Sequence, residues 1–195
     1  NMLIDITTIL NQNTKVYPGD PEFKINRIFT VEKDGFNLCS LSLGTHTGTH
    51  IDAPLHFFNT KESIADLDLK YLITNALVAD VSGLNSIDEK FISGLNLEGI
   101  NSILFKTNGK NIYLTQSGAE YLKNTEILIA GTENIDIEDE TNNDFPVHKT
   151  LLSNKTLIVE SIDLRNVKPG NYKFYCFPLR IENADGSPVR AVLEL

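Results

Sequence analysis

The chain has 195 residues, 41% hydrophobic and 22% charged, with 17 basic against 26 acidic side chains and a formal charge of -9. That composition suits a globular protein with its own hydrophobic core, and one domain over residues 1–195 is expected because no repeat, linker or composition break divides the chain. The acidic balance argues against nucleic acid as a partner, since nothing supplies the basic stripe that phosphate binding needs, and it disfavours an anionic membrane surface. With no apolar run approaching ~18 residues, no membrane-spanning helix is expected. The N-terminus lacks a basic region followed by an apolar one, so no signal peptide is expected either. Two cysteines, Cys39 and Cys176, form no disulfide framework and fit a cytoplasmic setting as small core residues.

Met2 to Leu10 alternates loosely and predicts a first strand. Val16-Tyr17-Pro18-Gly19-Asp20-Pro21 is a turn that holds Tyr17 out at a loop, where packing of the turn is enough to explain it. Phe23, Ile25, Arg27, Phe29 and Val31 alternate with polar neighbours, the period of a half-buried strand. Asp34-Gly35 signals a hairpin, and Asn37 to Leu43 returns as a second strand through Cys39, Leu41 and Leu43.

Beyond residue 60, Ile64, Leu67, Tyr71 and Leu72 have weak helical spacing within Lys61 to Leu72. Ala76–Val81, Ile100–Thr107, Glu126–Ala130 and Leu157–Val159 read as short apolar strands, and Ile87–Leu97 as a short helix or turn. Thr115 is placed to cap a helix through Leu122, and Pro146 suits the first turn of a helix that presents His148. Strands separated by short helical segments predict a mixed α/β domain. The acidic run from Glu133 to Asp144 lacks the order of an EF-hand loop and predicts a solvated loop. Glu160 closes an apolar strand, so it either reaches solvent or meets a cation. Tyr172–Ile181 reads as a central strand, and Asp185-Gly186-Ser187-Pro188 turns the chain into a last strand, Val189–Leu195.

The densest chemistry lies between Leu43 and Phe58. Three of the four histidines, His46, His50 and His56, stand there with Asp52 among them. Imidazole and carboxylate are the side chains that hold a borderline divalent cation such as zinc. Gly44, Gly48, Pro54 and three threonines oppose a helix, which excludes the helical His-Glu-x-x-His arrangement. A strand ending in a tight loop brings the side chains together instead. Histidines capping turns or satisfied in a core are the bland alternative at this point.

The run from His46 to Phe57 resembles the signature of the metal-dependent cyclase/hydrolase family that includes bacterial kynurenine formamidase. Tyr17-Pro18-Gly19-Asp20, Phe145-Pro146-Val147-His148 with Glu160, and Asp185 to Ala191 resemble its other segments in the expected order. The resemblance implies a swivelling β/β/α fold with a mixed sheet, dimeric or higher. It implies up to two divalent ions per chain, zinc first and manganese second by ligand softness: His46, His50 and Asp52 on one, His148 on the other, with Asp52 and Glu160 reaching both. It implies His56 as general acid/base and Tyr17 as a substrate-side aromatic. The implied activity is hydrolysis of a small aryl formamide of the N-formylkynurenine type, by attack of metal-bound hydroxide. The alternatives are a cyclic amide or lactone hydrolase of the isatin type and, more distantly, a non-enzymatic metal- or small-molecule-binding module. Tyr17 stands where formamidases commonly carry tryptophan, so the resemblance speaks more to the chemistry than to the substrate.

Overall fold

The computed structural model describes residues 2–195. Among the described residues, ten strands form two sheets. β1 (Leu3–Asp5) belongs to the large sheet, whereas β2 (Lys24–Phe29) and β3 (Leu38–Ser42) pair only with each other as a hairpin. Its tip is a helical turn, α1 (Val31–Asp34), stopped by Gly35 in the left-handed conformation at φ 80°. β4 (His50–Asp52) follows, then β5 (Ile73–Asp80), α2 (Glu89–Ser93), β6 (Ser102–Lys106), α3 (Gln116–Lys123), β7 (Ile129–Thr132), α4 (Pro146–Ser153), β8 (Leu157–Glu160), β9 (Gly170–Pro178) and β10 (Gly186–Glu194).

The large sheet runs β1-β10-β4-β8-β7-β6-β5-β9, and β9 also pairs with β10, so every strand but β1 takes part in a closed ring. Strands β5 to β8 are mutually parallel and are joined by α2, α3 and α4, whereas the remaining pairings are antiparallel. This is the mixed α/β architecture that the alternation of apolar strands and helical segments predicts. Period-two alternation along the ring divides the core in two. Leu104, Ile129, Leu157 and Val159 point into the ring with Phe174, Cys176 and Leu193. Ile103, Phe105, Ala130 and Ile158 point outward, beneath Ile92 of α2, Leu122 of α3 and Leu151 of α4.

Local signals held where side-chain chemistry enforces them. Thr115 accepts a hydrogen bond from the Gly118 amide at the start of α3, and Pro146 opens α4. Three expectations need correction. Lys61–Leu72 is not a helix but two separate tight turns, Ile64–Asp66 and Leu69–Tyr71; its apolar residues pack beside the sheet without a continuous face. β2 is exposed on both faces rather than half-buried, because the hairpin stands apart from the ring. The acidic run is not a solvated loop, since Asp136 and Glu138 are buried in it. Among the described residues no helix is long and apolar enough to cross a membrane.

Candidate metal-binding active site

Strand register builds the centre of the site. His50 and Asp52, two apart on β4, share a face, and antiparallel pairing sets Glu160 of β8 directly opposite His50. All three side chains are buried. β10 covers the other edge of β4, with Gly186 opposite Asp52. A Cβ at Gly186 would lie 2.7 Å from Cε1 of His46, so only glycine leaves room for that ring above the strand. The loop before β4 turns at Gly48, with φ at 67°, where a side chain would strike Leu10. After β4, Pro54 opens a tight turn, Pro54–His56, that carries His56 back over the site. α4 brings His148 in its first turn.

His50, His56 and His148 are each held through Nδ1, and His46 through both nitrogens. His50 Nδ1 donates to the Gly48 carbonyl at 2.8 Å, leaving Nε2 between Asp52 Oδ1 and Glu160 Oε2, each 3.3 Å away. His148 Nδ1 is 3.2 Å from Glu138 Oε2, leaving Nε2 3.4 Å from Glu160 Oε1 and 3.8 Å from Asp52 Oδ2. His46 bridges two carboxylates, Nδ1 2.8 Å from Asp52 Oδ1 and Nε2 3.0 Å from Asp185 Oδ2. The same Asp185 oxygen is 3.2 Å from His56 Nδ1, and its other oxygen accepts from the Thr45 hydroxyl.

Charge is concentrated here. Burial opposes a proton on His46, but Asp52 and Asp185 push its pKa up to about 9. For His50 burial is likewise outweighed by Asp52 and Glu160, and the pKa rises to about 10. His148 is raised too, against burial, by Glu138 and Glu160. Hydrogen bonds from His46 and His56 hold Asp185 far below the usual carboxylate range. Asp136 moves the opposite way, up to about 7, because it is buried and faces the negative charge of Glu160.

These residues fit divalent cations. Ligand atoms converge in three overlapping groups: His46, Asp52 and His56; His50, Asp52 and Glu160; and Asp136, His148 and Glu160, each within 4.8 Å. Among the described residues, His50 Nε2 and Asp52 Oδ2 are buried without a hydrogen-bond partner, a costly arrangement that an ion between them would relieve. Both buried imidazoles are anchored at Nδ1, which turns the Nε2 lone pair inward as metal ligation requires.

His46, His50, Asp52, His56, His148, Glu160 and Tyr17 therefore line one cavity of about 490 Å³. The histidine ring contacts continue into an aromatic wall, with Phe57 centred 5.5 Å from Phe145 and 5.3 Å from His148. Four participants were not singled out in the sequence. Asp185 reads there as a turn residue. Asp136 and Glu138 lie in a charge run whose composition signals solvent. Phe145 carries no sign of its left-handed backbone, φ 49°, which sets its ring at the cavity.

Comparison with known proteins gives a consistent picture. The Cyclase family profile matches residues 4–139. A kynurenine formamidase of Bacillus cereus is 33% identical over 97% of this chain and 96% of its own length, and one of Bacillus anthracis is 32% identical over the same shares. The solved structure of a predicted metal-dependent hydrolase from Bacillus stearothermophilus superposes with a TM-score of 0.83 at 27% identity, over 98% of this chain and 97% of that one. Isatin hydrolase A from Labrenzia aggregata shares the fold, with a TM-score of 0.89 at 19% identity over 98% and 93%.

Proposed function

This chain belongs to the Cyclase family of metal-dependent hydrolases, and from that premise we propose that it hydrolyses a small aryl formamide of the N-formylkynurenine type. The observation that carries the reading is one cavity joining a buried His/carboxylate cluster to an aromatic wall, in a chain similar along its whole length to kynurenine formamidases. The whole chain acts as one catalytic domain, in the cytoplasm.

His46, His50 and Asp52 would hold one divalent ion and His148 a second, with Asp52 and Glu160 reaching both. Imidazole and carboxylate donors favour zinc first and manganese second. When bound, the ions supply Lewis acidity toward the amide carbonyl and lower the pKa of water. The protein's own groups do the rest. Asp185 accepts from His56 Nδ1 and fixes the tautomer, so Nε2 is free to take up a proton and deliver it to the departing nitrogen. A poor nitrogen leaving group needs that proton. Tyr17, Phe57 and Phe145 offer ring faces for an aromatic substrate and keep water from that side of the cavity. Asp136 and Glu138 do not touch the substrate on this reading; they set the charge and orientation of His148 and Glu160.

The test is turnover of metal-loaded protein on N-formylkynurenine, isatin and a simple aryl formamide. The proposal expects formamide hydrolysis well above that of isatin. Preference for isatin would shift the substrate to a cyclic amide, and turnover of none of them would overturn the reading.

A further inference from the structure

Asp136 is buried in the wall of the cavity, on the segment that follows β7, yet neither ion position described above makes use of it. The segment is pinned on both sides of this residue. The Asn134 carbonyl accepts from the Ser161 amide at 2.9 Å, and the Ile137 amide donates to Glu160 Oε1 at 2.8 Å. Asp136 Oδ1 itself accepts from the Glu138 amide at 2.6 Å, whereas among the described residues no donor meets Oδ2. A carboxylate fixed in this way, with one oxygen left over, is preorganised for a ligand.

We propose that Asp136 is a further ligand of the ion at the His148 end, and that it makes the two metal positions chemically unequal. Geometry is the first argument. One ligand atom from each of Asp136, His148 and Glu160 lies within 4.8 Å of the others, and all three side chains are buried. The second argument is independent of Asp136. Asp52 Oδ2 is buried with no hydrogen-bond partner and stands 3.8 Å from His148 Nε2, so an orphaned carboxylate oxygen already faces this end of the site.

With Asp136 included, three carboxylates, Asp52, Glu160 and Asp136, accompany a single imidazole at the His148 end. The other end sets two imidazoles, His46 and His50, around Asp52. Carboxylate oxygen suits manganese and imidazole nitrogen suits zinc. The His148 end is therefore the harder position, and it discriminates less strongly against manganese than the His46/His50 end does. The added negative charge also offsets the mutual repulsion of two divalent ions held close together. The inference rests on the metal-dependent reading of the site, not on the identity of the substrate.

The test needs no substrate. The metal-stripped full chain is titrated with manganese, the free ion being followed by electron paramagnetic resonance, with zinc by competition, and with cobalt, whose visible absorption reports its ligands. Wild type is expected to take up two equivalents. Asp136→Asn keeps an oxygen for the Glu138 amide, and Asp136→Ala removes the side chain. Both variants are expected to hold circular dichroism and one tight equivalent. Asp136→Ala should weaken the other by more than ~100-fold for manganese, beyond the ~10–100-fold of a group that only orients a ligand, and by less for zinc. The cobalt band of that weakened equivalent should shift in both variants. Two equivalents bound with wild-type affinity in the variants, or weaker binding with an unshifted band, would overturn direct ligation. Equal losses for zinc and manganese would overturn the inequality of the two positions. A wild type that binds no metal would overturn this inference together with the metal-dependent reading, whereas two bound equivalents without formamide turnover would refute the substrate alone and leave Asp136 a ligand.

Discussion

Glu138 is fully buried at the start of α4, and its replacement by glutamine separates positioning from mere packing. Its carboxylate accepts from the backbone amides of Val147 at 2.9 Å and His148 at 3.1 Å and contacts His148 Nδ1 at 3.2 Å. With Asn142 Nδ2 donating to its other oxygen at 3.3 Å, four donors converge on one side chain at the positive end of a helix. Hydrogen bonds to a charged acceptor contribute ~1.5–3 kcal/mol each. Glutamine keeps one acceptor oxygen but turns an amide group toward the remaining donors, so a net loss of about 2–3 kcal/mol is expected. For a chain of this length that lowers Tm by roughly 5–10 °C. Release of the ring should also weaken metal binding at the His148 end by ~10–100-fold, the range for losing a carboxylate behind a ligating histidine. Calorimetric melting and competition with a chelator measure the two effects. Leu122→Ala, a cavity in the outer core expected to cost ~2–5 kcal/mol, is the control for destabilisation alone. Unchanged metal affinity in Glu138→Gln, or an equal loss in Leu122→Ala, would refute the positioning argument.

His56→Asn should keep fold and metal content while lowering turnover of an aryl formamide by ~10²–10⁴-fold, with an activated ester hurt less because it needs no proton on nitrogen; loss of one metal instead would make His56 a ligand. Glu160→Gln should lower occupancy at both metal positions, since its two oxygens face His50 and His148, and elemental analysis showing both retained would make it peripheral. In the metal-free protein the raised pKa values of His46 and His50 contribute stability that is full below ~6.5 and lost as pH rises through about 9 and 10. Metal must displace those protons, so binding should tighten from pH 6.5 toward 9 and release protons at pH 8 in calorimetry with buffers of differing ionisation heat; no proton release would contradict this.

What the sequence reveals depends on whether chemistry is local. The histidines, Asp52 and Glu160 are recognisable because their residue types are costly in any other role, and Thr115 and Pro146 act within one helical turn. Glu160 facing His50 follows from a strand register between residues 110 positions apart, which no local pattern encodes. Asp136 and Glu138 look solvated because six acids lie together, yet their burial comes from α4 and β8 folding over that segment. Asp185 fills a turn motif while also bonding His46 and His56, a role visible only once β10 lies beside β4. The hairpin misleads in the other sense: its alternation reads as half-buried, yet β2 is exposed on both faces because the hairpin stands apart from the ring.

Titration of metal-stripped protein with zinc or manganese, following aryl formamide turnover against equivalents bound, probes the metal-dependent site itself. The expected result is no turnover in the stripped protein and activity that rises to a plateau at two equivalents per chain. Undiminished turnover without metal, or none at full occupancy, would contradict the assignment.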